Sequence, residues 1–77
     1  APLVIQAGSF RLKDNAQSRL QELKSAGISA RITEALVNGV IYFRIIIGGF
    51  SSQGGAEGAL EQIQARGFYD ARIIANQ

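Results

Sequence analysis

Residues 31–47, with the sequence RITEALVNGVIYFRIII, place the dipeptide Asn38-Gly39 between two apolar runs. An Asn-Gly pair flanked by such runs is the strongest short-range signal for a β-hairpin with a two-residue turn. This turn pairs Val37 with Val40, and the register of the whole hairpin follows from that pair. Residues that lie directly opposite one another share a face of the sheet. The register therefore pairs, on one face, Arg31 with Ile46, Thr33 with Arg44, and Ala35 with Tyr42.

The sequence on either side of the hairpin repeats itself. Most matches keep one offset of 40 residues, and a single inserted residue then aligns residues 30–32 with residues 71–73. The matched pairs are Ile5/Ile45, Gly8/Gly48, Phe10/Phe50, Ala16/Ala56, Leu20/Leu60, Leu23/Ile63 and Gly27/Gly67. Because the matches follow one another in order, we interpret the chain as two half-repeats of about 40 residues, each with the order strand, helix, strand.

Start and stop signals predict one helix in each half-repeat. In the first, Asp14 has the position of an N-cap, Gln17 completes a capping box, and Gly27 supplies the stop. In the second, Gly67 supplies the stop, but the helix begins in the glycine-rich residues 54–58. Each glycine there weakens a helix by about 1 kcal/mol relative to alanine, so tertiary packing must hold the first turn.

The predicted element order is β-α-β-β-α-β, which specifies a ferredoxin-like α+β fold. Right-handed crossovers put both helices on one face of a four-stranded antiparallel sheet with the strand order 4-1-3-2. The opposite face carries no helix, and we call it the open face. We expect a single domain over residues 1–77, with a core at about residues 3–75, and the chain ends resemble cuts in the linkers of a larger protein.

Two arguments assign side chains to the faces of this sheet. The half-repeats give Ile5, Ile32, Ile45 and Ile73 equivalent positions, which makes them the expected core. Strand alternation then directs their neighbours to the open face, and the hairpin register gives the same assignment. The residues expected on the open face are Val4, Gln6, Arg31, Thr33, Tyr42, Arg44, Ile46, Arg72 and Ile74.

One residue fits this register poorly. Glu34 would lie opposite Phe43, which is expected on the face that packs against the helices. Carboxylates are rarely buried without a partner. We therefore expect either that Glu34 lies near the sheet edge or that a bulge shifts the register there.

The open face is expected to be basic. It carries three of the eight basic residues of the chain, and among the acidic residues only Asp70 shares their strand parity. Arginine suits bidentate recognition of carboxylates and phosphates, and the ring of Tyr42 can stack on a flat or sugar-like surface. We interpret the open face as a binding platform for a polar polymer rather than as a surface that is polar only for solubility.

The composition argues against an enzyme. The 77 residues include 8 basic and 6 acidic side chains, for a net charge of +2, and no histidine or cysteine. The chain therefore lacks the commonest general base, the commonest zinc ligand and any thiolate nucleophile. We expect no catalytic residue, no cofactor and no metal site, and the apolar run 40–47 is too short to cross a membrane.

The charged residues that we interpret as solvated helix-surface charges are Lys13, Arg19, Glu22, Lys24, Glu57 and Glu61.

Two other functions remain open at this point. RNA-recognition modules share this topology and use the open face, so a single-stranded RNA-binding module is the main alternative. Such modules stack bases on aromatic side chains of the central strands. Here Tyr42 is the only aromatic residue expected to point outward on the third strand, and residues 3–8 contain none. The third possibility is a ferredoxin-like regulatory or dimerisation domain.

Several short motifs, taken in their order, resemble the SPOR domain family. In the first half the similar residues are 4–10 (VIQAGSF), Asn15-Ala16, Leu20, Leu23 and Ala26-Gly27. In the second half they are 43–51 (FRIIIGGFS), Ala56, Leu60 and Gly67-Phe68. The resemblance extends from residue 4 to about residue 74, and Gly49 departs from it because the family usually has proline there.

The resemblance implies a non-catalytic module that binds the glycan strands of peptidoglycan in the bacterial cell envelope. It further implies a preference for denuded strands, from which amidases have removed the stem peptides, and a periplasmic location enriched at the division septum. The parent protein of such a module can carry a cell-wall hydrolase or lytic transglycosylase domain. We expect a monomeric module that contacts neither nucleic acid nor membrane.

The resemblance also implies roles for individual residues. Gln6, Ser9 and Arg44 fall on glycan-binding positions of the family. Loss of a stem peptide frees the lactyl carboxylate of muramic acid, which an arginine can pair with bidentately. Gln6 and Ser9 would bond acetamido and hydroxyl groups, while Tyr42 and Ile46 would pack against sugar faces. The predicted glycan-binding residues are Gln6, Ser9, Arg31, Thr33, Tyr42, Arg44, Ile46 and Arg72.

Overall fold

The computed structural model describes residues 2–76 and contains four strands and two helices within them. The strands form one antiparallel sheet in the order β2-β3-β1-β4, which is the predicted order read from the other edge. The ferredoxin-like α+β fold is thereby confirmed. The elements are β1 (Leu3–Phe10), α1 (Lys13–Ser25), β2 (Arg31–Val37), β3 (Val40–Phe50), α2 (Gln53–Ala65) and β4 (Arg72–Ala75).

The hairpin has the predicted register along its full length, from the Val37–Val40 pair to the Arg31–Ile46 pair. Its two turn residues, Asn38 and Gly39, have φ angles of 51° and 79°, as a type I′ turn requires. Glu34 does lie opposite Phe43, with no bulge, and its side chain is exposed. The first of the two explanations for Glu34 is therefore right, because β2 is an edge strand.

The core forms between the helices and the sheet face that they cover. Ile5 and Ile45 on the central strands are fully buried, and Ile32 and Ile73 on the edge strands pack against them. From the helices, Ala16, Leu23 and Ile63 join the same cluster. All four isoleucines of the expected core are therefore found there, so strand alternation holds for the middle of the sheet.

Two β-bulges interrupt the pairing of β1 with β3. One lies in β1 between Gln6 and Ser9, and the other lies in β3 opposite the stretch between Leu3 and Ile5. Each contains a glycine with a positive φ angle, +149° at Gly8 and +88° at Gly48. A bulge adds one residue to a strand and so reverses which face the following side chains point to.

The start of α1 differs from the expectation. The helix begins at Lys13, its N-cap is Leu12, and no side chain caps it, so Asp14 lies inside the first turn. The predicted capping box with Gln17 is wrong. Asp14 still stabilises this end of the helix, because a carboxylate in the first turn interacts favourably with the positive end of the helix dipole.

The other helix boundaries follow local signals. Ser52 caps α2, since its hydroxyl oxygen accepts a hydrogen bond from the Gly55 N–H. Gly27 and Gly67 follow the two helices with φ angles of +79° and +99°, as predicted for stop residues. The guanidinium of Arg66, the C-cap of α2, donates to the carbonyl oxygen of Ala26, the C-cap of α1, so the ends of the two helices are joined.

Arg19 is not a solvated surface charge, and that interpretation is wrong. Its side chain is only 23% exposed, and Nη1 donates to the carbonyl oxygen of Ala7, next to the bulge in β1, at 2.9 Å. The same guanidinium lies 3.3 Å from Asp70 Oδ2 and packs over the rings of Phe10 and Phe68. Asp70 is thus engaged with α1 and does not contribute a negative charge to the open face.

Replacing Arg19 by alanine is expected to lower the free energy of unfolding by about 1–2 kcal/mol. The variant loses the hydrogen bond to Ala7 and the two ring contacts, while the exposed carboxylates of Glu22 and Asp70 contribute little. Urea unfolding monitored by circular dichroism measures the effect. Lys13→Ala, an exposed site on the same helix, is the control and should change stability by less than about 0.5 kcal/mol. Equal losses in the two variants would contradict the role given to Arg19.

Candidate functional site

The open face is concave and forms a groove of about 500 Å³. Eight of the nine residues expected on the open face line it, and Tyr42 is the exception. The lining residues are Val4, Gln6, Arg31, Thr33, Glu34, Ala35, Leu36, Val37, Arg44, Ile46, Arg72, Ile74, Ala75 and Asn76. We call this surface the groove.

Strand pairing arranges the polar residues of the groove in rows that cross the sheet. One row runs through all four strands, in the order Arg31, Ile46, Gln6 and Arg72. Since neighbouring strands lie about 4.8 Å apart, the Cα atoms of the two arginines are separated by roughly 14 Å. A positive charge therefore stands at each edge of the groove, with a central floor between them.

The floor of the groove is almost inaccessible to solvent, although no helix covers it. Val4 is 2% exposed, Ile46 6% and Gln6 8%. We attribute this low exposure to two features. Bulges increase the local twist of the sheet, and the long side chains of the edge strands that line the groove cover the central residues from both sides. Ile46 consequently offers a ligand only a small apolar surface at the bottom of the groove.

A second row contains Thr33, Arg44 and Ser9. Ordinary alternation would turn Ser9 toward the helices, because it is three residues after the outward-facing Gln6. The bulge at Gly8 reverses this, so that Ser9 pairs with Arg44 and shares its face. The resemblance to a family had suggested Ser9, but no strand-alternation argument could have found it.

Arg44 differs from the other arginines of the groove because part of its guanidinium is buried. Its side chain is half-buried, and within residues 2–76 its Nε is buried without any hydrogen-bond partner. A buried donor left without a partner costs free energy, on the order of 1–3 kcal/mol. The terminal Nη groups of Arg44 make no hydrogen bond or ion pair within residues 2–76 either, so they can donate to an incoming acceptor, above all an anion.

The predicted site residues fall into two groups. Six of the eight line the groove: Gln6, Arg31, Thr33, Arg44, Ile46 and Arg72. The structure places Ser9 and Tyr42 on the same face but outside the groove lining, Ser9 beside Arg44 and Tyr42 opposite Ala35 near the hairpin turn. The predicted glycan-binding residues did not include Val4 and Ile74, which form one pair across β1 and β4 and line the groove. Both are among the residues expected on the open face, but nothing in the sequence assigns them a contact with a ligand.

The groove has the chemistry of a site for an anionic, partly apolar ligand. Three arginines line it, and Glu34 is the only acidic residue of its lining, with a side chain that strand pairing turns to the other face. Among residues 2–76 no cluster of carboxylates could hold a metal ion. Neither helix in that range has the length and hydropathy needed to cross a membrane.

The comparisons with known proteins agree with this geometry. The family model of the SPOR domain matches residues 1–75. The structure is similar to the crystal structure of the RlpA SPOR domain from Pseudomonas aeruginosa, with a TM-score of 0.75 and 19% identity over 94% of this chain and 96% of that one. It is also similar to the solution structure of the peptidoglycan binding domain of the B. subtilis cell wall lytic enzyme CwlC, with a TM-score of 0.75 and 28% identity over 100% of this chain and 92% of that one. A search of curated protein sequences gave no match.

Proposed function

Because the chain belongs to the SPOR domain family, we propose that it is a non-catalytic module that binds the glycan strands of peptidoglycan in its groove. We further propose that it prefers denuded strands, and that it directs its parent protein to the division septum from the periplasmic side. The CwlC domain, which is named for peptidoglycan binding, shares 28% of its residues with this chain and supports the choice of polymer. The function belongs to the module alone, whatever enzyme domain its parent protein carries.

The observation that carries the proposal is that the Arg44 guanidinium, whose Nε is buried, makes no hydrogen bond or ion pair within residues 2–76. Each muramic acid of a denuded strand presents a free lactyl carboxylate. The Nη groups of Arg44 can donate charge-assisted hydrogen bonds to that carboxylate, and such bonds contribute about 1.5–3 kcal/mol. Ser9 and Thr33, on either side of Arg44 in its row, can bond neighbouring hydroxyl and acetamido groups.

The preference for denuded strands follows from the same contact. In intact peptidoglycan the lactyl group carries an amide and a peptide, so it has no charge to pair with Arg44. The attached peptide must also be accommodated beside the glycan in a groove of about 500 Å³. Loss of the ion pair and steric exclusion therefore act in the same direction.

The geometry favours glycan over single-stranded RNA. RNA modules of this topology stack bases on aromatic side chains that project from the central strands. No aromatic side chain is among the described residues that line the groove, and Tyr42 lies outside it. The carboxylates and hydroxyl groups of a glycan match a groove lined by arginines, Gln6 and Thr33 better than stacked bases do.

Co-sedimentation with purified sacculi tests the proposal. We expect the bound fraction to rise several-fold after amidase digestion, because digestion creates the carboxylates that Arg44 pairs with. The same sacculi incubated with heat-inactivated amidase are the matched control, and an RNA oligonucleotide is offered as competitor. Binding that stays level after digestion, or that the RNA abolishes, would overturn the proposed ligand.

A further inference from the structure

Arg31 and Arg72 occupy equivalent positions in the two half-repeats and opposite ends of one row, yet their guanidinium groups are bonded differently. Nη1 of Arg31 donates to the carbonyl oxygen of Gly48, at the bulge in β3. The guanidinium of Arg72 makes no hydrogen bond or ion pair with any residue from 2 to 76. Of the two edge arginines, Arg31 has one N–H donor engaged in an internal contact, whereas all the donors of Arg72 are available to a ligand.

The structure supplies the reason for this difference. The bulge in β1 is held by Arg19, which reaches the carbonyl oxygen of Ala7 from the helix side. The second half-repeat has Ala59 at the position of Arg19, so its bulge depends on Arg31 from the open face. Within residues 2–76, Arg72 makes no corresponding hydrogen bond to a bulge.

The neighbour of Arg72 in the row also fits a polar ligand. Gln6 lies directly opposite Arg72 and is 8% exposed, and its side-chain amide makes no hydrogen bond within the described residues. An amide and a guanidinium placed side by side offer several donors and one acceptor to a carboxylate and the hydroxyl groups next to it. The pair is separate from Arg44, since two strand spacings and two residues along β3 put the Cα atoms of Arg44 and Arg72 roughly 12 Å apart.

We infer that Gln6 and Arg72 form a second carboxylate subsite, in addition to the one at Arg44, so that the ligand unit of the groove contains two successive denuded disaccharides. The glycan strand then lies across the β-strands, with one lactyl carboxylate at Arg44 and the next at Arg72. This inference rests on the proposed function and specifies its ligand. Arg44 takes the first carboxylate, because an ion pair at its half-buried guanidinium is stronger than one at the exposed guanidinium of Arg72.

Defined glycans of two lengths test the second subsite. The probes are the disaccharide of N-acetylglucosamine and N-acetylmuramic acid and the tetrasaccharide with two such units, titrated by NMR so that millimolar affinities are measurable. Arg72→Gln should weaken tetrasaccharide binding about fivefold, as expected for an exposed ion pair, and disaccharide binding less than twofold. Arg44→Gln should weaken the binding of both ligands.

A control variant and three possible results separate the second subsite from the proposed function. Lys24→Gln, which removes one charge from the exposed last turn of α1, should leave both affinities within twofold of wild type. If Arg72→Gln weakens both ligands by the same factor, the two arginines share one carboxylate and the second subsite does not exist. If it weakens neither ligand, Arg72 takes no part in binding. Failure of the wild-type domain to bind either glycan would instead contradict the proposed function itself.

Discussion

Replacing Arg44 by glutamine is expected to reduce binding to amidase-treated sacculi at least tenfold while leaving the fold intact. The expected loss reflects a charge-assisted hydrogen bond of about 1.5–3 kcal/mol to the lactyl carboxylate. Stability should be unchanged or slightly higher, because Nε of Arg44 is a buried donor without a partner among residues 2–76. Binding isotherms from co-sedimentation and thermal unfolding of the same preparation measure the two quantities.

Lys24→Gln is the matched control for the loss of one positive charge, since it lies on the helix layer and away from the groove. The control should bind like the wild type, which would show that the net charge of +2 is not what attracts the glycan. Wild-type affinity in Arg44→Gln would contradict the assignment of Arg44. A parallel loss of affinity and thermal stability in that variant would show that the arginine holds the sheet together rather than the ligand.

Replacing Gly48 by alanine should destabilise the domain by about 2–4 kcal/mol, which corresponds to a fall in Tm of at least about 10 °C. Two effects add. The φ angle of +88° is one that side chains with a Cβ rarely adopt, and an added Cβ would lie 2.3 Å from Cε2 of Phe50. The ring of Phe50 packs against the core, so it cannot swing away without uncovering apolar surface.

The same substitution at Gly58 is expected to have the opposite sign. Gly58 lies inside α2, and no heavy atom would lie within 4 Å of an added Cβ. Gly58→Ala should therefore raise stability by roughly 0.5–1 kcal/mol, since alanine favours the helix over glycine. Differential scanning calorimetry of both variants provides the comparison. If Gly48→Ala melts within a few degrees of Gly58→Ala, the bulge is not constrained as described.

The two Gly-x-Phe motifs were recognised in the sequence as a repeat, but the β-bulges that they form were not predicted. The recurrence of Gly8/Gly48 and Phe10/Phe50 indicated equivalent turns, but nothing local indicated bulges. In the structure each phenylalanine ring folds back over its glycine, and the nearest ring atom lies 2.7 Å from a Cβ placed at Gly8. The bulge at Gly8 then carries Ser9 onto the open face beside Arg44.

Arg19 and Asp14 show that local sequence patterns do not predict which tertiary contacts a charged side chain makes or where a helix begins. The partners of Arg19, Ala7 and Asp70, are 12 and 51 residues away, so no local pattern could separate it from the solvated charges on the same helix. Asp14 had good capping chemistry, yet the N-cap of α1 is Leu12, two residues earlier. A cap contributes only about 1 kcal/mol, which is too little to decide where the helix begins once Phe10 is packed against the core.

The sequence by itself determined the element order, the hairpin register and the face of nearly every strand residue. These properties depend on local rules, namely turn chemistry at Asn38-Gly39 and the two-residue period of a strand. Only the tertiary structure decided the depth of the groove, the bonding of Arg19 and Arg31, and the availability of Arg44 and Arg72. Those properties depend on bulges and on contacts between residues far apart in the chain, where several interactions of about 1 kcal/mol compete and the packed chain selects among them.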